Sequence, residues 1–163
     1  MKKIFLLLAF FSLLGCEKDD ICDQDATPNL VIEFYNFENR TELRNVTNLK
    51  VTAVGETDSL QTFNAVSKIV IPLKIDADNV KYSFIINSTD TDFANEDFIE
   101  LNYTRKNIFI SRACGYKTVY TLNDIDPIVY SDAVSATNLW IKDIDVQTNN
   151  INDENEVHVK IYF

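Results

Sequence analysis

The feature that most constrains this chain is a period-two alternation of apolar and polar residues, which starts near residue 30 and runs to the C-terminus. Val80, Tyr82, Phe84 and Ile86 illustrate it, because alternate side chains of an extended strand point to the same face. No stretch of useful length has the 3.6-residue period of an amphipathic helix. The pattern therefore predicts a chain built from β-strands.

Nine segments rich in Val, Ile, Thr, Tyr and Phe have the composition of half-buried strands. They are separated by connectors in which Asp and Asn, rather than Gly, supply the turn chemistry. We expect an all-β fold, an antiparallel β-sandwich that is Ig-like or related, with about eight or nine strands. The predicted strands are Leu30–Phe37, Leu49–Val54, Lys68–Ile75, Val80–Asn87, Phe98–Thr104, Asn107–Arg112, Tyr116–Leu122, Leu139–Thr148 and Glu156–Phe163.

Two positions carry further expectations about the strands. Pro72 lacks a backbone N–H, so the strand around it is predicted to be an edge strand or a bulged one. The segment Asn149–Glu156 is the longest polar stretch and is predicted to be a hairpin loop.

Composition limits the class of protein. The chain has 163 residues, enough for one domain, and 25 acidic residues against 15 basic ones give a formal net charge of −10. This acidic balance argues against nucleic acid as a partner, since nucleic-acid binding needs clustered Lys and Arg. We expect residues 29–163 to form a single β-sandwich domain.

The N-terminus reads as a targeting segment. Lys2 and Lys3 precede an apolar run from Ile4 to Leu14, which is shorter than the about 20 residues that a membrane-spanning helix needs. The following Leu13-Leu14-Gly15-Cys16 resembles the lipobox of bacterial lipoproteins, in which cleavage occurs before an acylated Cys. An ordinary signal peptide with a chance Cys is the alternative. We therefore expect residues 1–15 to be a lipoprotein signal peptide and residues 16–28 an acidic tether lipidated at Cys16.

Acylation implies membrane lipid as a partner, because several acyl chains on one Cys anchor firmly. Cleavage would remove Lys2 and Lys3 and leave the mature chain still more acidic. The run Glu17-Lys18-Asp19-Asp20 resembles the export signal of Bacteroidota-type lipoproteins, although a plain solvated tether has a similar composition. The expected location is the cell envelope, as an outer-membrane lipoprotein, with surface exposure favoured by that resemblance.

With Cys16 acylated, Cys22 and Cys114 form an even pair in an oxidising compartment. We predict a disulfide between them. The alternative is a nucleophilic Cys114, which would need a basic partner such as Arg112 or Lys117 to lower its thiol pKa.

Short motifs along the chain suggest a family. Cys22 precedes Thr27-Pro28 and the first strand, Ser111-Arg-Ala-Cys114-Gly115 lies in mid-chain, and His158-Val-Lys-Ile-Tyr162-Phe163 ends it. The chain resembles an uncharacterised family of Bacteroidota-type lipoproteins made of one domain of unknown function. That resemblance implies a placement in the envelope, over nearly the whole chain, and no activity.

No catalytic constellation is visible. His158 is the sole imidazole, and its position in the alternation predicts a surface location. The paired acids can be explained as turn formers, so we expect no cofactor and no metal site, with weak calcium binding as the alternative. Trp140, the sole Trp, is expected in the core; the alternative is a ligand-binding face.

These observations predict a non-enzymatic, lipid-anchored interaction or accessory module whose partner is an envelope protein or a glycan. The alternative is a carbohydrate-binding module or glycan hydrolase on the cell surface, which would use carboxylates and an exposed Trp140.

Overall fold

The computed structural model describes residue 22 and residues 26–56, 61–133 and 139–163. Within those residues the chain forms strands and no helix. The eleven strands are β1 (Leu30–Tyr35), β2 (Leu49–Ala53), β3 (Gln61–Phe63), β4 (Lys68–Ile71), β5 (Asn79–Ile86), β6 (Asn95–Ser111), β7 (Gly115–Leu122), β8 (Ile128–Asp132), β9 (Asp143–Val146), β10 (Asn150–Ile151) and β11 (Val159–Tyr162).

The strands form two sheets that pack face to face. The first sheet has the order β4-β1-β11-β9, and the second has the order β10-β7-β6-β5-β2-β3 with β8 also paired to β6. The first strand runs parallel to the last, with Ile32 opposite Val159, while the other pairings are antiparallel. The predicted antiparallel β-sandwich is thus confirmed, with eleven strands rather than eight or nine.

The core lies between the sheets and follows the alternation in the sequence. Val80, Tyr82, Phe84 and Ile86 all point into it from β5, and Val159 and Ile161 meet them from β11. Burying such side chains is the main favourable term in folding, at about 1.5–3 kcal/mol for each large apolar residue. The sequence pattern therefore identifies the buried face of the central strands correctly.

The largest departure from the predicted strands is β6, which is one 17-residue strand rather than two. Its first part pairs with β5 on one edge and β8 on the other, and its last part pairs with β7. Residues 104–107 in its middle are exposed, so the alternation is lost there although the backbone stays extended. The polar residues that interrupt the alternation therefore mark a part of β6 that is exposed on both faces, and not a turn.

The edge and loop predictions have different outcomes. Strand β4 is the outer strand of the first sheet and ends just before Pro72, which agrees with an edge position. The segment Asn149–Glu156 does connect the antiparallel neighbours β9 and β11, but it also contains β10, which pairs with Tyr120 and Thr121 of the second sheet. This connection therefore joins the two sheets at one end.

Candidate functional site

The N-terminal segment is fastened to the second sheet by a disulfide. Cys22 and Cys114 are bonded across a sequence separation of 92 residues, with their Cα atoms 4.9 Å apart. Cys114 lies in the turn between β6 and β7, where its backbone N–H donates to Ser111 Oγ at 3.0 Å. The next residue, Gly115, has a φ of 71°, a backbone angle that residues with a side chain rarely adopt. The structure thus contains the predicted disulfide and leaves no free thiol on Cys114 to act as a nucleophile.

Further contacts follow the same segment into the fold. Thr118 N–H donates to Thr27 Oγ1 at 3.0 Å, so the segment meets β7 again four residues beyond the disulfide. Asn29 then donates to Glu154 Oε1 from both its backbone N–H and its side-chain amide, at 2.9 and 2.8 Å. A shallow polar depression of about 300 Å³ lies between residues 26–29 and 153–155. The N-terminal segment is therefore bonded first to the β6–β7 turn, then to β7, and finally to the loop before β11.

The end of the β6–β7 hairpin extends beyond the packed sheets. We call residues 104–117 the β6–β7 arm. Its exposed large apolar side chains are Phe109 and Tyr116, at 55% and 71%, and their rings meet edge to face with centroids 5.3 Å apart. They lie on opposite strands at the same register position. An exposed aromatic pair thus stands next to the disulfide.

The β6–β7 arm is also basic in an acidic chain. It contains Arg105, Lys106, Arg112 and Lys117 and no acidic residue. Arg105 is bound at the base of the arm, donating to Asp78 and to the Ile75 carbonyl at 2.6 Å each. The other three cations form no ion pair with any residue in the described ranges. The N-terminal segment therefore leaves the fold beside a basic, aromatic surface.

Trp140 is part of the core. Only 8% of it is exposed, its indole N–H donates to the Phe84 carbonyl at 3.2 Å, and its ring packs against Phe163. Trp140 therefore lies in the core, as the sequence favoured, and little of its ring is exposed to form a ligand-binding face. The residue alternates in sequence with two apolar neighbours, so the pattern alone could not separate the two alternatives.

Asp97 supports the segment that carries Trp140. Its carboxylate is fully buried and accepts the Ile141 backbone N–H at 2.8 Å. Burial raises the pKa of the Asp97 carboxyl, while backbone hydrogen bonds from Ile141 and Trp140 act in the opposite direction. This carboxylate thus holds the backbone of a loop in place.

The remaining acidic pairs take part in turns and surface ion pairs. Asp90 accepts the Asp92 backbone N–H, and Asp153 accepts that of Asn155, as expected of Asx turns. Asp143 and Asp145 both face Arg40, at 2.5 and 3.6 Å. Among the described residues, no group of three or more His, Cys, Asp and Glu side chains is arranged to hold a metal ion.

The surface location predicted for His158 is wrong. The residue is fully buried just before β11, and its backbone N–H donates to the Val31 carbonyl at 3.0 Å while its Nδ1 accepts the Val31 N–H at 2.9 Å. Burial lowers the pKa of the imidazole, against smaller effects of Glu156, Asp153 and Glu154. His158 is therefore a structural residue whose Nδ1 serves as a hydrogen-bond acceptor, and it lies outside the regular strand whose alternation suggested exposure.

Comparison with known proteins gives a family. This disulfide-linked all-β domain matches, over residues 48–163, the model of a family described as a family of unknown function (DUF6452). The match covers most of the chain, so the chain belongs to this family. It starts at Asn48, and so includes Cys114 but not Cys22 or β1, whereas the resemblance in the sequence was expected to cover nearly the whole chain. No curated protein and no solved structure matches the chain.

Cys16 and the apolar run before it lie outside the described residues. Within the part of the chain that is described, no helix is long and apolar enough to cross a membrane. Sequence reasoning missed the burial of His158 and the exposed pair Phe109 and Tyr116. The only signal for that pair in the sequence is the absence of acidic residues from the hairpin that carries it.

Proposed function

We propose that this chain is a lipid-anchored protein of the bacterial cell envelope, whose β-sandwich serves as a non-enzymatic interaction or accessory module. The observation that carries the proposal is the order of features at the N-terminus: two lysines, an apolar run and Leu13-Leu14-Gly15-Cys16. In this proposal residues 1–15 are removed and Cys16 becomes the acylated first residue.

The pairing of the other two cysteines supports this assignment. Cys22 and Cys114 are bonded to each other, so Cys16 is the one cysteine of the three that does not take part in this disulfide. A disulfide is typical of an oxidising envelope compartment rather than of a reducing cytosol. Residue 22 meets the fold at the turn between β6 and β7, the end of a hairpin, which suits attachment through an N-terminal tether.

A non-enzymatic role is favoured by how the candidate catalytic groups are used. Nδ1 of His158 is occupied by a backbone N–H, and the carboxylate of Asp97 by another. A catalytic group must instead reach a substrate in a pocket. The alternative of a glycan-binding module or hydrolase would use carboxylates and an exposed Trp140, and the burial of Trp140 counts against it.

Acylation is tested by changing Cys16. In cells grown with labelled fatty acid, we expect the wild-type chain to take up label and to partition into the detergent phase. Cys16→Ser should take up no label and should keep residues 1–15, because lipoprotein cleavage follows acylation. The matched control is the double variant Cys22→Ser, Cys114→Ser, which should retain its lipid. An unlabelled wild-type chain would overturn the proposal.

A further inference from the structure

The charge of this protein is unevenly distributed along the chain. No Asp or Glu occurs between Glu100 and Asp124, a stretch that contains four of the 15 basic residues. In the structure this stretch is the end of β6, the turn and β7. Because the chain as a whole has a net charge of −10, the β6–β7 arm is a localised positive surface on a negative molecule.

The same arm exposes apolar area that the sandwich does not cover. Tyr103 and Tyr120, at its base, are buried in the core, but Phe109 and Tyr116, further along the same hairpin, are mostly exposed. Their side chains continue the face of the sheet that is buried nearer the base, since alternate residues share a face. The hairpin thus extends past the opposing sheet and presents two aromatic rings on one face, while Lys117 projects from the other face and Arg112 lies in the turn.

The position of the arm relative to the N-terminus limits what it can meet. Cys22 is bonded to Cys114 in the turn of the arm. Cys22 lies six positions after Cys16 in the chain, and six residues span at most about 20 Å when fully extended. If Cys16 is acylated, the turn of the arm therefore lies within about 20 Å of the bilayer surface.

We propose that the β6–β7 arm is a membrane-contacting surface, in which Phe109 and Tyr116 enter the headgroup region and Arg112 and Lys117 bind anionic lipid phosphates. The position of the arm rests on the acylation of Cys16 proposed above. Tyr is enriched at membrane interfaces and Phe occurs on the apolar face of interfacial segments, while each basic residue near an anionic surface strengthens binding about fivefold. The acidic body would then face away from the bilayer.

A bilayer suits this surface better than other occupants. The short tether keeps the arm near lipid, and its positive charge complements anionic headgroups. The acidic residues of the tether could pair with the same cations; they include Glu17, Asp19 and Asp20. A second copy of the chain could instead cover the aromatic pair. Both alternatives give distinct results in the experiments below.

The first experiment measures contact through fluorescence. A chain of residues 16–163 contains every described contact, and in its oxidised form Cys16 is the one free thiol, so it can be coupled to a maleimide phospholipid in vesicles. The reporter is Tyr116→Trp. The matched control is Phe93→Trp, because Phe93 is 72% exposed and precedes β6 at its far end, about 50 Å from Phe109 along an extended strand.

With brominated lipids in anionic vesicles, we expect the reporter at position 116 to lose most of its emission and the control at position 93 to keep it, after subtraction of the Trp140 signal. Equal quenching at both positions, or none at position 116, would overturn the proposal. Because the lipid is attached chemically, this result does not depend on whether cells acylate Cys16. Failure here and failure of the proposed function are thus distinguishable.

The second experiment tests the charges without any anchor. Binding of the uncoupled chain to phosphatidylglycerol vesicles is compared for the double variant Arg112→Gln, Lys117→Gln and for the control Lys50→Gln, Lys81→Gln. We expect the first variant to lose about fivefold in affinity per charge removed, and the control to lose much less. The proposal would be contradicted if both double variants lost the same affinity, or if the wild type bound neutral and anionic vesicles equally well. Either result would fit cations that the acids of the tether already neutralise.

Self-association is examined in the same samples. If two copies join through the aromatic pair, the wild-type chain will sediment as a dimer without vesicles, and the reporter at position 116 will be shielded from aqueous iodide. That result would overturn the bilayer as the occupant. A monomer whose reporter is quenched by iodide until vesicles are added supports it.

Discussion

His158 provides, at the start of the fold, a hydrogen-bond acceptor for a backbone group of the first strand. Its Nδ1 accepts the backbone N–H of Val31, and its backbone N–H donates to the Val31 carbonyl. These two hydrogen bonds join β1 to the residue before β11, just before the regular parallel pairing begins at Ile32 and Val159. A buried N–H that loses its acceptor costs about 1–3 kcal/mol. The residue is therefore expected to matter for stability rather than for chemistry.

Replacement of His158 tests this role. His158→Leu keeps apolar volume but removes the acceptor, and we expect it to lower the free energy of unfolding by about 1–3 kcal/mol. His158→Asn places an amide oxygen near the position of Nδ1 and should lose less. Urea denaturation monitored by circular dichroism measures both. Equal losses in the two variants would show that the hydrogen bond to Val31 is not what His158 contributes.

The same residue makes stability depend on pH. Burial lowers the pKa of His158 in the folded chain below the ordinary 6.5, so below that value the unfolded chain binds a proton that the folded chain does not. The free energy of unfolding should therefore fall as pH drops from about 6.5 towards the folded-state pKa. His158→Asn should lack this component. Parallel wild-type and variant stability curves between about pH 7.5 and 5 would contradict it.

At the level of single residues, sequence reasoning succeeded where the strand was regular. The buried face of β5 follows directly from Val80, Tyr82, Phe84 and Ile86. It failed at His158, because the alternation was extended one residue beyond the strand, into a position fixed by a tertiary hydrogen bond. Tertiary contacts of this kind cannot be recognised from the periodicity of the sequence.

Among the elements, the β6–β7 hairpin carries the most structural information. It connects to the N-terminal segment at Cys114 and Thr118, and to β10 at Tyr120 and Thr121. The predicted strands stopped on either side of the charged pair Arg105 and Lys106, which divided β6 into two, and β3, β8 and β10 were not predicted. Two of these are only two or three residues long, and β8 has no fully buried residue, so none offers a clear apolar pattern.

The cysteine pairing was predictable for a different reason. Three cysteines, one of them in a lipobox-like motif, leave a single possible pair by counting alone. The exposed aromatic pair next to it was not predictable, because Phe109 and Tyr116 fit the composition of ordinary strands and their exposure depends on where the opposing sheet ends.

Removal of the disulfide should destabilise the whole fold. It closes a loop spanning 92 residues of sequence, and in the chain-entropy model such a cross-link contributes about 4–5 kcal/mol by restricting the unfolded chain. We expect the double variant Cys22→Ser, Cys114→Ser to unfold at a correspondingly lower urea concentration. Cys16→Ser is the matched control and should unfold as the wild type does. Equal midpoints for the wild type and the double variant would show that the cross-link does not stabilise the folded chain.

For the whole molecule, the proposed arrangement places a negatively charged sandwich on a lipid tether with its basic hairpin towards the bilayer. Lys18 lies in sequence between Cys16 and Cys22, so cleavage after it would separate the entire disulfide-linked domain from the lipid. If the protein is on the outer surface, trypsin added to intact cells should release a soluble fragment that begins at Asp19. Release only after the outer membrane has been permeabilised would place the domain on the periplasmic side.

The proposed lipid anchor depends most on the chemistry of the three cysteines, and intact-mass analysis of the membrane-extracted protein tests that chemistry directly. We predict a polypeptide that begins at Cys16, carries the added mass of acyl chains on that residue, and gains two hydrogens on reduction as the Cys22–Cys114 bond opens. A mature chain that starts at another residue, or that lacks acyl mass, would contradict the account.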